Sequence, residues 1–452
     1  MADRSSLVAV SRVATYGLDA VRRALPASVF DAIRPGDRVV LKPNWVMEGH
    51  KDDPAVWEHV ITHPALITAT IEQLVARGAG RISVVDGPMT EASFATLIAR
   101  YPVDQWRAIA GAIPLEIIDL RDLECTTAHG IVVERRTLPG DPRGKVEVDL
   151  AGAASAFHGH ARSRRGYYGA DYDRAETNRA HDGHHNIYSV SRTALECDVF
   201  INLPKLKTHR KAGITACLKN LVGINTYKNY LPHHSEGGPS EGGDQFPADN
   251  VNARIEGPLM AFLKQRVLRD ARLARALAPL NHLGRRVFGD TRRVVRSGNW
   301  YGNDTIWRMI LDLNKVLLYA NADGTLRPDG LASAKRYIGI VDAIAAGAGE
   351  GPLAPDRADL GYVIAGTNPV AIDAVCAVAM GFDPARIPSI ANAFAARRYP
   401  LVDFASGEVR VELDGRVRTV DDARLSLAVT CEPHFGWKGH IEAPVDHVGA
   451  AS

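Results

Sequence analysis

Residues 198–203, DVFINL, are an apolar run that predicts a buried strand, and the lysine-rich residues 205–229, KLKTHRKAGITACLKNLVGINTYKN, follow it almost directly. In open α/β sheets, ligands bind beyond the carboxyl ends of the strands. We therefore expect the side chains of residues 205–229 to project into a crevice at the end of a central strand. This segment is the predicted working site of the chain.

The residues on both sides of this stretch alternate between strand and helix patterns. Residues 38–42, 81–86, 115–119, 336–342 and 360–365 predict strands, and residues 62–77, 90–100, 301–319 and 369–380 predict helices. Thr62 is the predicted N-cap of the first of these helices. Alternation at this spacing is typical of βαβ units. The predicted fold class is α/β, with a mainly parallel sheet, helices on both faces and two lobes around a central crevice.

Four segments follow from these patterns. They are an N-terminal α/β lobe (1–150), a His- and Lys-rich site segment that contains the central strand (151–256), a basic helical insertion (257–300), and a C-terminal α/β lobe and tail (301–452). Residues 157–185 are polar and without a clear period, so we expect a long ordered loop there. Loops of that length are commonly functional.

The composition is that of an ordinary globular protein, with 46% hydrophobic residues, 23% charged residues and a formal net charge of +2. This balance gives no general reason to expect nucleic-acid binding. Five cysteines without a C-x-x-C motif predict neither a zinc ribbon nor an iron–sulfur cluster. No secretory or membrane-spanning run is evident, so we expect a soluble, cytoplasmic protein.

The basic segment 257–296 has an apolar stripe at helical spacing and carries nine arginines. The favoured interpretation is a solvated helix face over a core. The alternative is peripheral contact with an anionic membrane or a phosphorylated polymer. The oligomeric state is left open by the sequence.

Lysines dominate the predicted site. They could bind an anion as point charges, act as base or nucleophile where positive neighbours depress the pKa, or anchor a cofactor. For Lys205, Lys207 and Lys211, a solvated basic loop is an equally good interpretation. Lys219 lies in the otherwise apolar residues 214–222, so it must be paired or functional.

Histidines and strand-end acids complete the candidate set. Neighbouring histidines on a strand point in opposite directions, so at most one residue of the pair His233 and His234 is expected to face the site. Asp86 and Asp342 end predicted strands, and Asp373 lies in a predicted helix. For each of these acids, holding a ligand or metal and capping a helix or loop are equally good interpretations.

Eight motifs in this chain resemble the DUF362 family, which has no assigned function. They are VVLKPNW (39–45), VVDGP (84–88), VFINLPKLKTH (199–209), GITACLKNLVGIN (213–225), KNYLPHH (228–234), DLN (312–314), AGTNPVAIDAV (365–375) and MGFDP (380–384). Many relatives carry a ferredoxin-like cysteine module, which this chain lacks, so the resemblance implies no iron–sulfur cluster.

A more distant resemblance is to the lactate racemase catalytic subunit family, which holds a nickel-pincer nucleotide on a lysine. His209, Gly213 and Lys219 have that family's His-x3-Gly-x5-Lys spacing. By this resemblance Lys219 would carry the cofactor, and His233 or His234 would ligate nickel. The cofactor itself remains open between a divalent transition metal and a lysine-linked nickel group.

The sequence thus favours an enzyme that acts on a small anionic substrate, such as a hydroxy acid, a sugar acid or a phosphorylated sugar, with racemisation or epimerisation as the leading reaction. The predicted catalytic residues are Lys219, His209 and Asp86. The predicted substrate-binding residues are Lys42, Asn44, Lys205, Lys207, Asn220 and Lys228. The predicted metal ligands are His233, His234 and Asp373. The alternative is a non-catalytic protein that binds an anion or an anionic partner.

Overall fold

A computed structural model describes residues 4–128, 131–171, 173–249, 294–329, 333 and 335–444. The strands are β1 (Leu7–Arg12), β2 (Arg38–Pro43), β3 (Arg81–Asp86), β4 (Leu115–Asp119), β5 (Leu123–Ala128), β6 (Ile131–Thr137), β7 (Lys145–Asp149), β8 (Tyr167–Gly169), β9 (Ile187–Ser191), β10 (Val199–Leu203), β11 (Lys205–His209), β12 (Gly213–Thr215), β13 (Pro232–Ser235), β14 (Arg336–Ala348), β15 (Asp356–Gly366), β16 (Arg410–Leu413) and β17 (Arg416–Thr419). The helices are α1 (Leu18–Ala24), α2 (Pro64–Ala76), α3 (Phe94–Ile98), α4 (Val103–Ala110), α5 (Arg174–Ala180), α6 (Arg192–Glu196), α7 (Cys217–Asn220), α8 (Ile306–Tyr319), α9 (Pro369–Ala379), α10 (Pro388–Ala395) and α11 (Val420–Leu427).

An 11-stranded sheet organises the described residues, in the order β17-β16-β1-β15-β14-β10-β2-β3-β4, with β11 and β12 branching from β14. The run β14-β10-β2-β3-β4 is parallel throughout, while β15 is antiparallel to both β1 and β14. β10, predicted to be central, lies between β2 and β14. The sheet is therefore mixed and mainly parallel, as predicted.

Alternating side chains of the central strands fill two separate apolar cores. In β2, Val39 and Leu41 belong to the core that includes residues of α1, α2 and α4, whereas Val40 belongs to the core that includes residues of α8 and α9. Since successive side chains of a strand point to opposite faces, helices cover both faces of the sheet. The α/β fold class is confirmed.

Strands from both ends of the chain share this one sheet, because β1 lies between β15 and β16. The prediction of two lobes around a crevice is not confirmed, and the division into four segments stays a prediction. The basic segment 257–296 lies almost entirely outside the described residues. No helix in the described part of the chain is both long and apolar enough to cross a membrane.

Three local expectations differ from the structure. Lys205–His209 is a strand, whereas a loop lining a crevice was expected. Asp342 lies in the middle of β14, because that strand continues through the small apolar residues that follow it. The N-cap of α2 is His63, while the hydroxyl of Thr62 instead accepts from the Asn44 N–H and donates to the Leu203 carbonyl.

Candidate active site

Lys205, Lys207 and His209 alternate along β11 and therefore share one face of that strand. All three residues are buried, with exposed fractions of 0%, 1% and 6%. Burial of two lysines and a histidine in one row requires partners for each, because an isolated buried charge is strongly unfavourable. The partners differ along the row.

Lys205 has a complete set of partners. Its Nζ lies 2.6 Å from Asp342 Oδ2 and 2.7 Å from the Tyr16 hydroxyl, and it donates to the Ala345 carbonyl at 3.2 Å. Asp342 also accepts from the Tyr16 hydroxyl at 2.7 Å and from the His63 N–H at 2.9 Å. Burial lowers the pKa of Lys205, and the charge of Asp342 opposes that shift. This end of the row is a closed ion-pair network.

Lys42 and Asp86 form a second closed pair where β2 and β3 end. Lys42 Nζ lies 2.6 Å from Asp86 Oδ1, and the carboxylate also accepts from the backbone N–H of Trp45 and of Gly87 at 2.7 and 2.8 Å. A Cβ on Gly223 would overlap both Asp86 and Lys42, so that position has room only for glycine. The carboxylate of Asp86 is thus held by three donors.

Lys228 borders this pair. Its ammonium donates to the carbonyls of Gly87 and Asn225 at 2.8 and 3.1 Å. Burial lowers the pKa of Lys228 to about 7, the charge of Asp86 opposes that shift, and Lys42 adds to it. Lys228 is therefore hydrogen-bonded but has no carboxylate within ion-pair distance among the described residues.

A chain of amides fixes the orientation of Asn44. Asn202 Nδ2 donates to the Cys217 carbonyl, so Asn202 Oδ1 accepts from Asn220 Nδ2 at 2.7 Å. Asn220 Oδ1 then accepts from Asn44 Nδ2 at 2.8 Å. Asn44 Oδ1 is left buried and without a hydrogen-bond partner among the described residues. It is an acceptor whose direction is set by the whole chain of amides.

Lys219 lies on the short helix α7, whose first N–H groups are held by Asp373. The Asp373 carboxylate accepts from the N–H groups of Cys217 and Leu218 at 2.7 and 3.0 Å. Lys219 is partly buried and makes no hydrogen bond or ion pair with the described residues. Burial lowers its pKa to about 8, Lys42 adds to the shift, and Asp86 opposes it. An amine with this pKa is mostly protonated at neutral pH but also has an appreciable neutral fraction, and the neutral form can act as a base or nucleophile.

Lys207 is repelled by the positive charge of Lys219. Its ammonium donates to the Val60 carbonyl, and burial lowers its pKa well below the usual range, with Lys205 and Lys219 adding to the shift. Thr215 stands opposite Lys207 in the β11–β12 pair, and its hydroxyl is buried without a partner among the described residues. Unlike Lys205, Lys207 has no carboxylate of the described residues within ion-pair distance.

His209 and His233 have opposite tautomers. His209 Nδ1 accepts from the N–H groups of Lys211 and Ala212, both at 3.1 Å, so its proton is on Nε2. His233 Nδ1 lies 2.9 Å from the Leu231 carbonyl and must donate, so its Nε2 holds a lone pair. Burial lowers the pKa of both rings well below the usual range, and Lys219 adds to both shifts. The site therefore contains one imidazole donor and one imidazole acceptor.

The three predicted metal ligands are not brought together. His234 Nδ1 lies 3.1 Å from the ammonium of Lys211 and its ring stacks on Tyr168, while Asp373 holds the start of α7. Within the described ranges, no group of three His, Cys, Asp or Glu side chains is placed to hold a metal ion. Metal ligation by these residues stays a prediction without geometric support.

Sequence reasoning missed four residues that shape the site. Tyr16 and His63 come from segments without a recognisable motif, and they complete the environment of Asp342. Asn202 and Thr215 could have been found, since a polar residue inside an apolar run such as DVFINL needs a buried partner or a ligand. The predicted group Lys42, Asn44, Asp86, Asn220 and Lys228 is brought together, and Lys219, Lys207, His209 and His233 form the adjoining part.

Comparisons with known proteins give one family and three distant likenesses. A thylakoid-associated protein of Synechocystis sp. is 24% identical over 206 residues, so the matched region covers 46% of this chain and 44% of that protein's length. A structural-genomics protein of Thermotoga maritima aligns with a TM-score of 0.33 at 11% identity, covering 80% of this chain and 58% of that one. The lactate racemase apoprotein of Thermoanaerobacterium thermosaccharolyticum aligns with a TM-score of 0.30 at 10% identity, covering 82% of this chain and 56% of that one. The family DUF362, described as a domain of unknown function, matches residues 150–378, about half of the chain. The chain belongs to the DUF362 family.

Proposed function

We propose that this chain is an enzyme that binds a small anionic substrate beside Lys219 and moves a proton on the carbon next to the substrate's carbonyl or carboxylate group. The observation that carries this proposal is the amine of Lys219. It has no partner among the described residues, its pKa is about 8, and it lies in the electrostatic range of His209 and His233. Lys205, by contrast, has a carboxylate partner at 2.6 Å.

The proposed step uses Lys219 as the base. Its neutral amine takes the proton from the carbon, and the electron pair of that bond moves toward the neighbouring substrate oxygen. His209 donates a hydrogen bond from Nε2–H to that oxygen, because its Nδ1 is occupied by two backbone donors. A neutral imidazole held in one tautomer is suited to this polarising role, and it is not suited to accept a proton.

His233 is the second base in this proposal, since its Nε2 holds a lone pair. When Nε2 of His233 is protonated and Lys219 is neutral, His233 gives its proton to the opposite face of the carbon, which forms the epimer and leaves His233 neutral and Lys219 charged. In the reverse direction His233 takes the proton and the ammonium of Lys219 returns it. Asp86 and Asp373 have positioning roles, because each carboxylate is held by backbone N–H groups around Lys42 and Lys219.

A lysine-linked nickel cofactor is compatible with part of this arrangement. Its attachment would use the Lys219 amine, and of the three predicted ligands His233 presents a nitrogen lone pair. Such a group would supply an electron-accepting centre beside the substrate. The proton transfers of this proposal use only the side chains of Lys219, His209 and His233.

A non-catalytic anion-binding protein is the second candidate. It is favoured by the number of lysines gathered at one sheet edge, which suits binding whether or not chemistry follows. The two candidates differ in what happens to the bound molecule, so one assay separates them.

The experiment is proton exchange with solvent, followed by NMR in D2O for a panel of 2-hydroxy acids, sugar acids and phosphorylated sugars. We expect the protein to introduce deuterium next to the carboxylate or carbonyl of at least one member. Lys219→Met should lower that rate at least about 100-fold, whereas Lys438→Met, an exposed lysine paired with Glu432, should leave it unchanged. Binding of a panel member without deuterium incorporation would reject the enzyme in favour of the anion-binding protein.

A further inference from the structure

The site contains more buried positive charge than negative charge. Lys42 and Lys205 are each matched by a carboxylate at 2.6 Å, but Lys207, Lys219 and Lys228 have no carboxylate of the described residues within ion-pair distance. Removing an ion from water is strongly unfavourable unless an opposite charge accompanies it. The protein alone therefore leaves this edge of the sheet electrostatically incomplete.

The imbalance concentrates on Lys207 and Lys219. Lys228 is held by two carbonyls, at 2.8 and 3.1 Å. Lys207 has a single carbonyl acceptor and Lys219 has no described partner. Burial lowers the pKa of Lys207, and repulsion by Lys205 and by Lys219 adds to the shift. The helix α7, which carries Lys219, begins two residues after β12, the strand whose Thr215 pairs with Lys207. Two ammonium groups on adjoining elements, neither within ion-pair distance of a described carboxylate, are the complement of one ligand group that carries two negative charges.

We propose that Lys207 and Lys219 form a binding site for a doubly charged anionic group, such as a phosphate monoester or a dicarboxylate, and that this group binds together with protons from solvent. The proposal rests on the proposed function only in placing the ligand beside Lys219. Without the ligand, repulsion and burial favour loss of protons from the two amines. With it, both amines regain their protons, so an ion pair forms at each one.

The unpaired hydroxyl of Thr215 supports the same location. It stands directly across the β11–β12 pair from Lys207 and is buried without a described partner. A hydroxyl can donate to an anion oxygen, and a buried hydroxyl without any partner is unfavourable. The ligand group would thus meet the ammonium group of Lys207 and the hydroxyl of Thr215 from the β11–β12 pair, and the ammonium group of Lys219 from α7.

The test compares sulfate with methyl sulfate by isothermal titration calorimetry. Both ions have the same sulfur–oxygen head, but sulfate carries two charges and methyl sulfate one, and neither titrates between pH 7 and 9. The measurement is made at constant ionic strength and pH 8 in Tris and in HEPES, whose ionisation enthalpies differ. The difference in heat between the two buffers gives the number of protons taken up.

We expect sulfate to bind at least about tenfold more tightly than methyl sulfate, with uptake of about one to two protons, and its affinity to fall by about tenfold to 100-fold per unit as the pH rises from 8. Lys207→Met and Lys219→Met should each abolish the preference, whereas Lys438→Met should retain it. Circular dichroism melting checks folding. Because Lys219 is partly exposed, its variant keeps the test decisive even where Lys207→Met does not fold.

Equal affinities for the two ions, or sulfate binding without proton uptake, would overturn the proposal. The result is separable from the proposed function. If sulfate binds with proton uptake and the protein shows no deuterium exchange, the dianion site is retained and the proposed catalytic function is rejected. If the protein shows deuterium exchange but no preference for sulfate, the catalytic function is retained and the dianion site is rejected.

Discussion

Lys205 on β11 and Lys219 on α7 differ in whether the surrounding residues provide hydrogen-bond and ion-pair partners for the ammonium group. At Lys205, a carboxylate, a hydroxyl and a carbonyl surround the ammonium. At Lys219, which lies on α7, the ammonium makes no hydrogen bond with the described residues. Two lysines of the segment 205–229 therefore differ in their surroundings: Lys205 has a complete set of partners, whereas Lys219 has none among the described residues.

The largest expected effect comes from Lys219→Arg, which retains the positive charge and removes the titrating amine. Arginine cannot act as a base near neutral pH. We expect the rate of deuterium exchange to fall by about 10² to 10⁴, because that is the range for one acid–base group. Sulfate affinity should change far less. A variant that exchanges deuterium at the wild-type rate would show that Lys219 is not the base.

A stability effect is expected at the buried ion pair of Lys205 and Asp342. Asp342→Leu leaves the ammonium of Lys205 buried without its carboxylate, so the free energy of unfolding should fall by about 3–5 kcal/mol. The double variant Lys205→Met/Asp342→Leu should lose much less, since it removes both charges. Urea unfolding at pH 7 measures both. Equal losses in the two variants would contradict the closed ion-pair interpretation.

The lowered pKa of Lys219 predicts a pH dependence of the free energy of unfolding. The pKa of Lys219 is about 8 in the folded chain and 10.5 in its ordinary state, so between these values the unfolded chain binds more protons at this position. The free energy of unfolding should therefore rise with pH across that window, by at most about 3 kcal/mol from this group. In Lys219→Met that contribution should be missing, as judged by the difference between wild-type and variant unfolding curves at pH 7.5 and 10. Parallel pH profiles for the two proteins would contradict the lowered pKa.

The smallest effect is expected for Thr215→Val. Its hydroxyl makes no hydrogen bond with the described residues, so a methyl group of the same size should leave thermal stability unchanged or slightly increased, within about 1 kcal/mol. Sulfate affinity should fall by a few-fold in the same variant. A marked loss of stability with unchanged sulfate affinity would assign the hydroxyl a structural role.

Sequence patterns were sufficient for the fold class, and the site residues stay a prediction. Apolar runs located β2, β3 and β10, and Lys219 was identified because a lysine within ITACLKNLV needs a partner or a function. Periodicity is a local property, so it can place elements of this kind.

The roles of the individual lysines could not be read from the sequence. Lys205 and Lys219 differ through Tyr16 and Asp342, which are remote in the chain and reach the site only through the order of the strands. The tautomers of His209 and His233 depend on single backbone groups in tight turns. Such contacts follow from tertiary packing, which no local pattern encodes.

The position of β1 has a consequence for how the chain reaches its folded state. Val8 is paired on one side with Gly366 and on the other with Val411, so the first strand has no neighbour from its own half of the sequence. During synthesis one edge of β1 stays uncovered until β15 (Asp356–Gly366) has emerged, and the other edge until β16 (Arg410–Leu413) has emerged. Contacts of such large sequence separation are associated with slow folding. Recombinant fragments that end before residue 410 should therefore expose one edge of β1 and self-associate.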